Sequence, residues 1–88
     1  MDIIKKASAG TMESSDAYVE VAPAKTLQVE LESVVQEQFG EEIEAVIREV
    51  LRDNNVKKAS VRVIDRGALE CVIRARVETA VLRGKEEG

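Results

Sequence analysis

Histidine and tryptophan are absent from these 88 residues, and cysteine and proline occur once each. Without an imidazole there is no base for a serine or cysteine nucleophile of the triad kind. The single Cys71 allows no intramolecular disulfide and no zinc ligand set. Pro23 stands alone, so no interdomain linker is evident, and no glycine-rich phosphate loop occurs. Tyr18 and Phe39 are the only aromatics, so the core has to be built from Val, Ile, Leu and Ala. Long apolar runs are missing too: "MDIIKKASAG" brings two lysines after two apolar residues, which fits neither a signal peptide nor a membrane span. Basic charge is short and scattered, with a net charge of −4, which argues against a nucleic-acid partner and for one with a positive patch.

What is present reads as one folded, cytoplasmic domain over 1–88, with 1–6 and 84–88 as flexible ends. At 44% apolar and 34% charged the chain is globular rather than disordered. "YVEVA" at 18–22 and "LQVELE" at 27–32 alternate as strands do, and "PAKT" between them suits a hairpin. "KASAGTME" reads as an edge strand pairing with 18–22 across a turn at Ser14-Ser15-Asp16, and "ASVRVID" at 59–65 as a fourth strand. Ser33 and Gln36 have the spacing of a capping box. From there Val35, Phe39, Ile43, Val46, Ile47 and Val50 recur as one helical stripe, stopped at Asn54-Asn55. A second helix is predicted from about Ala68 to Arg83, with Leu69, Val72, Ile73, Val77, Ala80 and Val81 inward, a Glu70-Arg74-Glu78 ladder outside and Gly84 ending it. Two amphipathic helices can cover one face of a small sheet. The expected fold is therefore an α+β two-layer sandwich, a small, mainly antiparallel sheet of about four strands covered on one face by two helices.

Three features carry functional weight. In "ESSD" at 13–16 two hydroxyls lie between acids; most such segments are solvated turns. A serine nucleophile there lacks a base, whereas a serine modified by another enzyme needs only exposure. The first helix holds Glu37, Glu41, Glu42, Glu44, Glu49 and Asp53 against Arg48 and Arg52, an excess of four acids that equals the net charge. That face is either simply solvated or a docking surface steered by charge. No tight carboxylate loop of calcium-binding spacing appears. Cys71, with no His or Lys beside it, reads as a half-buried structural thiol.

"AGTMESSD" at 9–16, "QFGEEIEAVIREVLRDNNV" at 38–56 and "DRGALECVIRARVETAV" at 65–81 together resemble the acyl carrier subunit, or gamma chain, of citrate lyase. The resemblance runs in order from about Ile4 to Leu82. It implies a non-catalytic carrier whose serine bears 2'-(5''-phosphoribosyl)-3'-dephospho-CoA through a phosphodiester. The thiol of that arm holds acetyl and citryl thioesters, passed between the alpha (acyl transferase) and beta (citryl lyase) subunits as citrate is split to oxaloacetate and acetate. A dedicated enzyme attaches the arm. The family serine follows Glu and precedes Gly-Asp, which maps to Ser14, with Ser15 where the family commonly has glycine. Glycine takes positive φ freely and serine does not, so the turn is either of a kind that does not need it or is strained. The carrier of malonate decarboxylase, with a similar "S-G-D" site, is the alternative in the same class; an unmodified acidic adaptor is the alternative outside it.

Overall fold

A computed structural model describes residues 2–86. Its elements run β1 (Ala7–Gly10), β2 (Ala17–Ala22), β3 (Leu27–Ser33), α1 (Gln36–Asp53), β4 (Ala59–Asp65) and α2 (Glu70–Lys85). The strands form one sheet in the order β1-β2-β4-β3, with β1–β2 and β2–β4 antiparallel and β3–β4 parallel. Both helices pack on the same face, making the expected α+β sandwich. Register places Ala9, Val19, Val63 and Leu31 on one rung of that face and Ala7, Val21, Val61 and Val29 on the next. Ile43, Ile47, Val50 and Leu51 of α1 and Ile73, Val77, Ala80 and Val81 of α2 close over them. Gln28, Glu30, Glu32 and Arg62 stay exposed on the opposite face.

The hairpin expected between β2 and β3 does not form. β4 inserts between them and pairs with both. Burial explains the order: β4 carries Ala59, Val61, Val63 and Ile64, all buried, whereas β3 alternates half-buried and exposed positions and suits an edge. The five Cα steps from Ala22 to Leu27 reach roughly 17 Å, enough to pass the roughly 10 Å across two strand spacings. α1 then serves as the crossover that a parallel β3–β4 pair requires.

Four local expectations are corrected. α1 starts at Gln36: the Gln36 side chain accepts from Ser33 N (3.3 Å), and the Ser33 hydroxyl accepts from Val35 N (3.1 Å) rather than from Gln36 N while donating to Asp65 (2.8 Å), so both side chains satisfy a backbone N–H but in a variant of the capping box. Leu69 and Phe39 are exposed rather than core. Cys71 is exposed, on the side of α2 away from the sheet. Gly84 lies inside α2, not past it, and is buried where an added Cβ would come within 3.1 Å of Ile3 and Val21 methyls. Of the ends expected to be flexible, residues 1 and 87–88 lie outside the described residues; within the rest, Ile3 is buried and Ile4 N donates to Gly84 O (2.9 Å).

Candidate functional site

The "ESSD" segment forms the tip of the β1–β2 hairpin, and its base is closely held. Gly10 has φ +87°, and a Cβ there would sit 1.8 Å from Ala17 O, so no other residue fits without moving the backbone. Thr11 Oγ1 accepts from Glu13 N (3.2 Å) and donates to Asp16 Oδ2 (2.7 Å), drawing the two arms of the loop together. Asp16 Oδ1 also accepts from Ala17 N (2.7 Å). Arg76 reaches from α2 across Gly10 and donates through Nε to Asp16 Oδ1 (3.0 Å) and through Nη2 to Oδ2 (3.4 Å). The hydrogen bonds from Arg76, then Thr11 and Ala17, hold the Asp16 carboxyl down at about 2. The carboxylate is thus ionised near neutral pH and ties the loop to both the sheet and α2.

Above that base, Asp16 N donates to Glu13 O (3.2 Å), defining a β-turn with Ser14 and Ser15 at its centre. Ser15 N donates to Arg66 O, and Arg66 N donates to Asp16 O, each at 2.9 Å, so the turn is strapped to the chain leaving β4. Ser15 has φ 65°. Of the two possibilities left open by the sequence, the strained one holds: serine occupies the left-handed position that glycine takes at no steric cost. Ser14 is the second residue of the turn and exposed, and among the described residues its hydroxyl has no hydrogen-bond partner.

Asp65 anchors the same end of the sheet. Buried on the rung shared with Ala17 and Ser33, it accepts from the Ser33 hydroxyl, Gly67 N (3.2 Å) and Ala68 N (2.8 Å). It thereby fixes the loop whose Arg66 backbone holds the Ser15 strap. Sequence reasoning singled out neither Asp65 nor Arg76. Both lie inside the "DRGALECVIRARVETAV" stretch, but a pairing across 60 residues leaves no local pattern. Arg74 bridges Glu70 (3.1 Å) and Glu49 (3.0 Å), so the expected ladder turns toward α1 instead of continuing to Glu78. Among the described residues no cluster of three or more His, Cys, Asp or Glu could hold a metal ion, and no helix is long and apolar enough to cross a membrane.

The structure thus sets an exposed serine, between Glu13 and Asp16, at the tip of a braced hairpin on a small sheet under two helices. The family described as the malonate decarboxylase delta subunit matches residues 4–84. The citrate lyase acyl carrier protein of Haemophilus influenzae (strain PittEE) is 52% identical over 87 residues, covering 99% of this chain and 92% of the relative. That of Escherichia fergusonii is 52% identical over 89 residues, with the same coverage. In fold the chain is similar to one from the Pseudomonas malonate decarboxylase hetero-tetramer in complex with malonate, with TM-score 0.75 and 19% identity over 86% of this chain and 79% of the other. The chain therefore belongs to this carrier family, and within it to the citrate lyase acyl carrier proteins. Its role is that of a non-catalytic carrier.

Proposed function

We propose that Ser14 is the attachment point for 2'-(5''-phosphoribosyl)-3'-dephospho-CoA. In this reading the chain, in the cytoplasm, carries acetyl and citryl groups between the alpha (acyl transferase) and beta (citryl lyase) subunits of citrate lyase. The observation that carries the reading is the exposed, unpartnered Ser14 hydroxyl at the tip of a hairpin whose base is rigidly tied. These residues fit a covalently attached group: the hydroxyl is free to enter a phosphodiester, and nothing packed on it has to be displaced. Glu13 before Ser14 and Asp16 two places after it support the register. When attached, the group supplies a thiol that holds acyl groups as thioesters.

The protein's own part is positional. Asp16, Arg76 and Thr11 hold the hairpin base, so the attachment point stays fixed relative to both helices. The base that takes the Ser14 proton comes from the attaching enzyme, as this chain has no histidine. A tether converts encounters between two active sites into intramolecular events at millimolar effective concentration for short flexible links.

Incubating the chain with its attaching enzyme, followed by intact mass and peptide mapping, tests the assignment. Ser14→Ala should abolish the mass increase; Ser15→Ala and Ser15→Gly should keep it. Modification on Ser15, or persisting in Ser14→Ala, would defeat the reading. The malonate decarboxylase carrier stays as a second reading because of the family description matched over 4–84. Identities of 51–52% over nearly the whole chain favour citrate lyase. Turnover of the loaded chain with citrate lyase subunits, and none with malonate decarboxylase subunits, separates the two. A chain isolated from its own cells without any added mass would favour the unmodified adaptor.

A further inference from the structure

The Ser14 hairpin shares its end of the molecule with an apolar surface. The last rung of the sheet joins Ala17, Asp65 and Ser33, so the loops at 11–16, 66–69 and 34–35 all leave from the same edge, and both helices begin there. They touch: Ser15 N donates to Arg66 O, Val34 N donates to Asp65 O (3.2 Å), and a Cβ on Gly67 would lie 3.9 Å from a Val34 methyl. Two strand spacings separate the hairpin from Val34, roughly 10 Å. Six large apolar side chains are exposed among the described residues, and four lie here: Met12 (50%), Val34 (62%), Phe39 (46%) and Leu69 (72%). The other two, Ile4 and Leu82, lie toward the opposite end, near Gly84. Clustered exposed apolar side chains of this kind mark interaction sites more often than scattered single ones.

We propose that this end is the docking surface for the protein subunits that act on Ser14, and that the partner presents apolar side chains ringed by lysine or arginine. The proposal rests on the Ser14 reading, since an active site that takes a group tethered there has to approach this same end. Charge selects the occupant. Glu13, Glu37, Glu41 and Glu42 surround the apolar residues with no ion pair among the described residues, against one exposed cation, Arg66; Arg74 and Arg76 are bound to carboxylates, Glu70 and Asp16 among them. A basic rim on the partner complements that ring. A second copy of this chain would set one acidic ring against another. The attached arm is disfavoured as occupant for a related reason. The groove of about 240 Å³ between α1 and α2, lined by Phe39, Ile43 and Ile73, also has Glu42 and Glu70 in its wall, which repel phosphates. Leu69 and Val34 protrude, so they suit insertion into a socket on another protein.

Binding of the full-length, unmodified chain to the purified alpha and beta subunits tests this. Phe39→Ser/Leu69→Ser should weaken binding to at least one subunit by about tenfold or more, the scale of truncating anchor residues. Ile4→Ser/Leu82→Ser, equally apolar and exposed at the far end, should stay within about twofold of the parent. Thermal melts confirm folding, and Leu69→Ser alone keeps the test readable if the double variant unfolds. Unchanged affinity in the patch variants, or an equal loss in the far-end control, overturns the proposal. So does a parent dimer that the patch variant abolishes, which would make a second copy the occupant. Contacts between the arm and Ile43 or Ile73 methyls in the NMR spectrum of the loaded chain, with subunit affinity unaffected by the patch variants, would assign the groove to the arm instead. Because binding is read before modification, failure here is distinct from failure of the Ser14 assignment, which appears in the mass of Ser14→Ala.

Discussion

Replacing Ser15 tests the turn at its most strained point. With φ 65°, Ser15 occupies the left-handed region, which disfavours a residue with a Cβ by about 1–2 kcal/mol. Glycine removes that penalty but leaves the unfolded chain about 0.4–1 kcal/mol more entropy to lose. Ser15→Gly should therefore gain between about zero and about 1.5 kcal/mol. At about 4–8 °C per kcal/mol for a domain of this size, its melting temperature should be unchanged or higher by up to about 12 °C. Ser15→Val places a β-branched side chain at the same φ, where it is a genuine outlier, and should melt at least about 4 °C lower than the parent. Both substitutions delete the same hydroxyl, which has no partner among the described residues, so its loss cancels between them, and the cost of positive φ opposes the unfolded-chain entropy that favours Val over Gly. Calorimetry on the two variants beside the parent is the assay. If Ser15→Gly melts more than about 4 °C below the parent, or the two variants melt together, Ser15 does not hold positive φ and the strain argument is wrong.

Asp16 is held at about 2 by its bonds to Arg76, Thr11 and Ala17, below its ordinary value of 3.8. Because the folded value is the lower one, the stabilisation it gives is present above about pH 4 and disappears as pH falls toward 2. Protection of the amides across 11–17, taken relative to the intrinsic exchange rate at each pH, should fall through that window, and Asp16→Asn should show low protection already at neutral pH; protection in the parent that does not change with acid would refute the clamp. On α1, Glu41 and Glu42 are both exposed, and reversing them to Lys should slow association with the larger subunits. The parent rate should fall with salt, since exposed charges are screened over about 10 Å at 0.1 M; assembly at the parent rate at low salt would leave this face merely solvated. Cys71 is exposed, so a thiol reagent should label it fully in the folded protein, and Cys71→Ala should change stability by less than about 0.5 kcal/mol. Slow labelling would place it back in the core.

The elements were legible because alternation and helical spacing are local: β2, β3, β4 and both helices appear where those periods lie, and β1 appears within "KASAGTME", a weakly patterned segment read as an edge strand across the turn. Their order in the sheet was not. A four-residue connection fits a hairpin and a step over one strand equally well, and only burial on both edges of β4 distinguishes them. The core list erred at two positions. Phe39 lies on the same stripe as Val35 and Ile43 but is 46% exposed, lining the open groove between α1 and α2 instead of packing into the core. Leu69 precedes α2 in an extended conformation, so the helical period read through it did not apply. Cys71 lies two positions before Ile73, about 200° around the helix, which places it opposite the buried stripe rather than beside it.

The candidate site divides along the same line. The turn at Ser14-Ser15-Asp16 could be read from "AGTMESSD" because a turn is a local object, and the question raised by Ser15 in place of glycine was a question about one dihedral angle. What braces the turn is not local. Asp16 was legible as a neighbour of the serines but not as the partner of a guanidinium 60 residues away, and Asp65 was legible only as the last residue of a strand. These two acids connect a motif to a fold. Asp16 ties the hairpin to α2, while Asp65 fixes the loop that leads into α2 and whose backbone straps Ser15. Strain at Ser15 can persist because the chain on both sides of it is held by bonds that do not depend on it. An exposed hydroxyl on a loose loop would be as accessible to an attaching enzyme, but its tether would swing from a moving base. With an arm on Ser14, as proposed, the moving part would begin there, and the hairpin base beneath it is fixed to the sheet and to one helix.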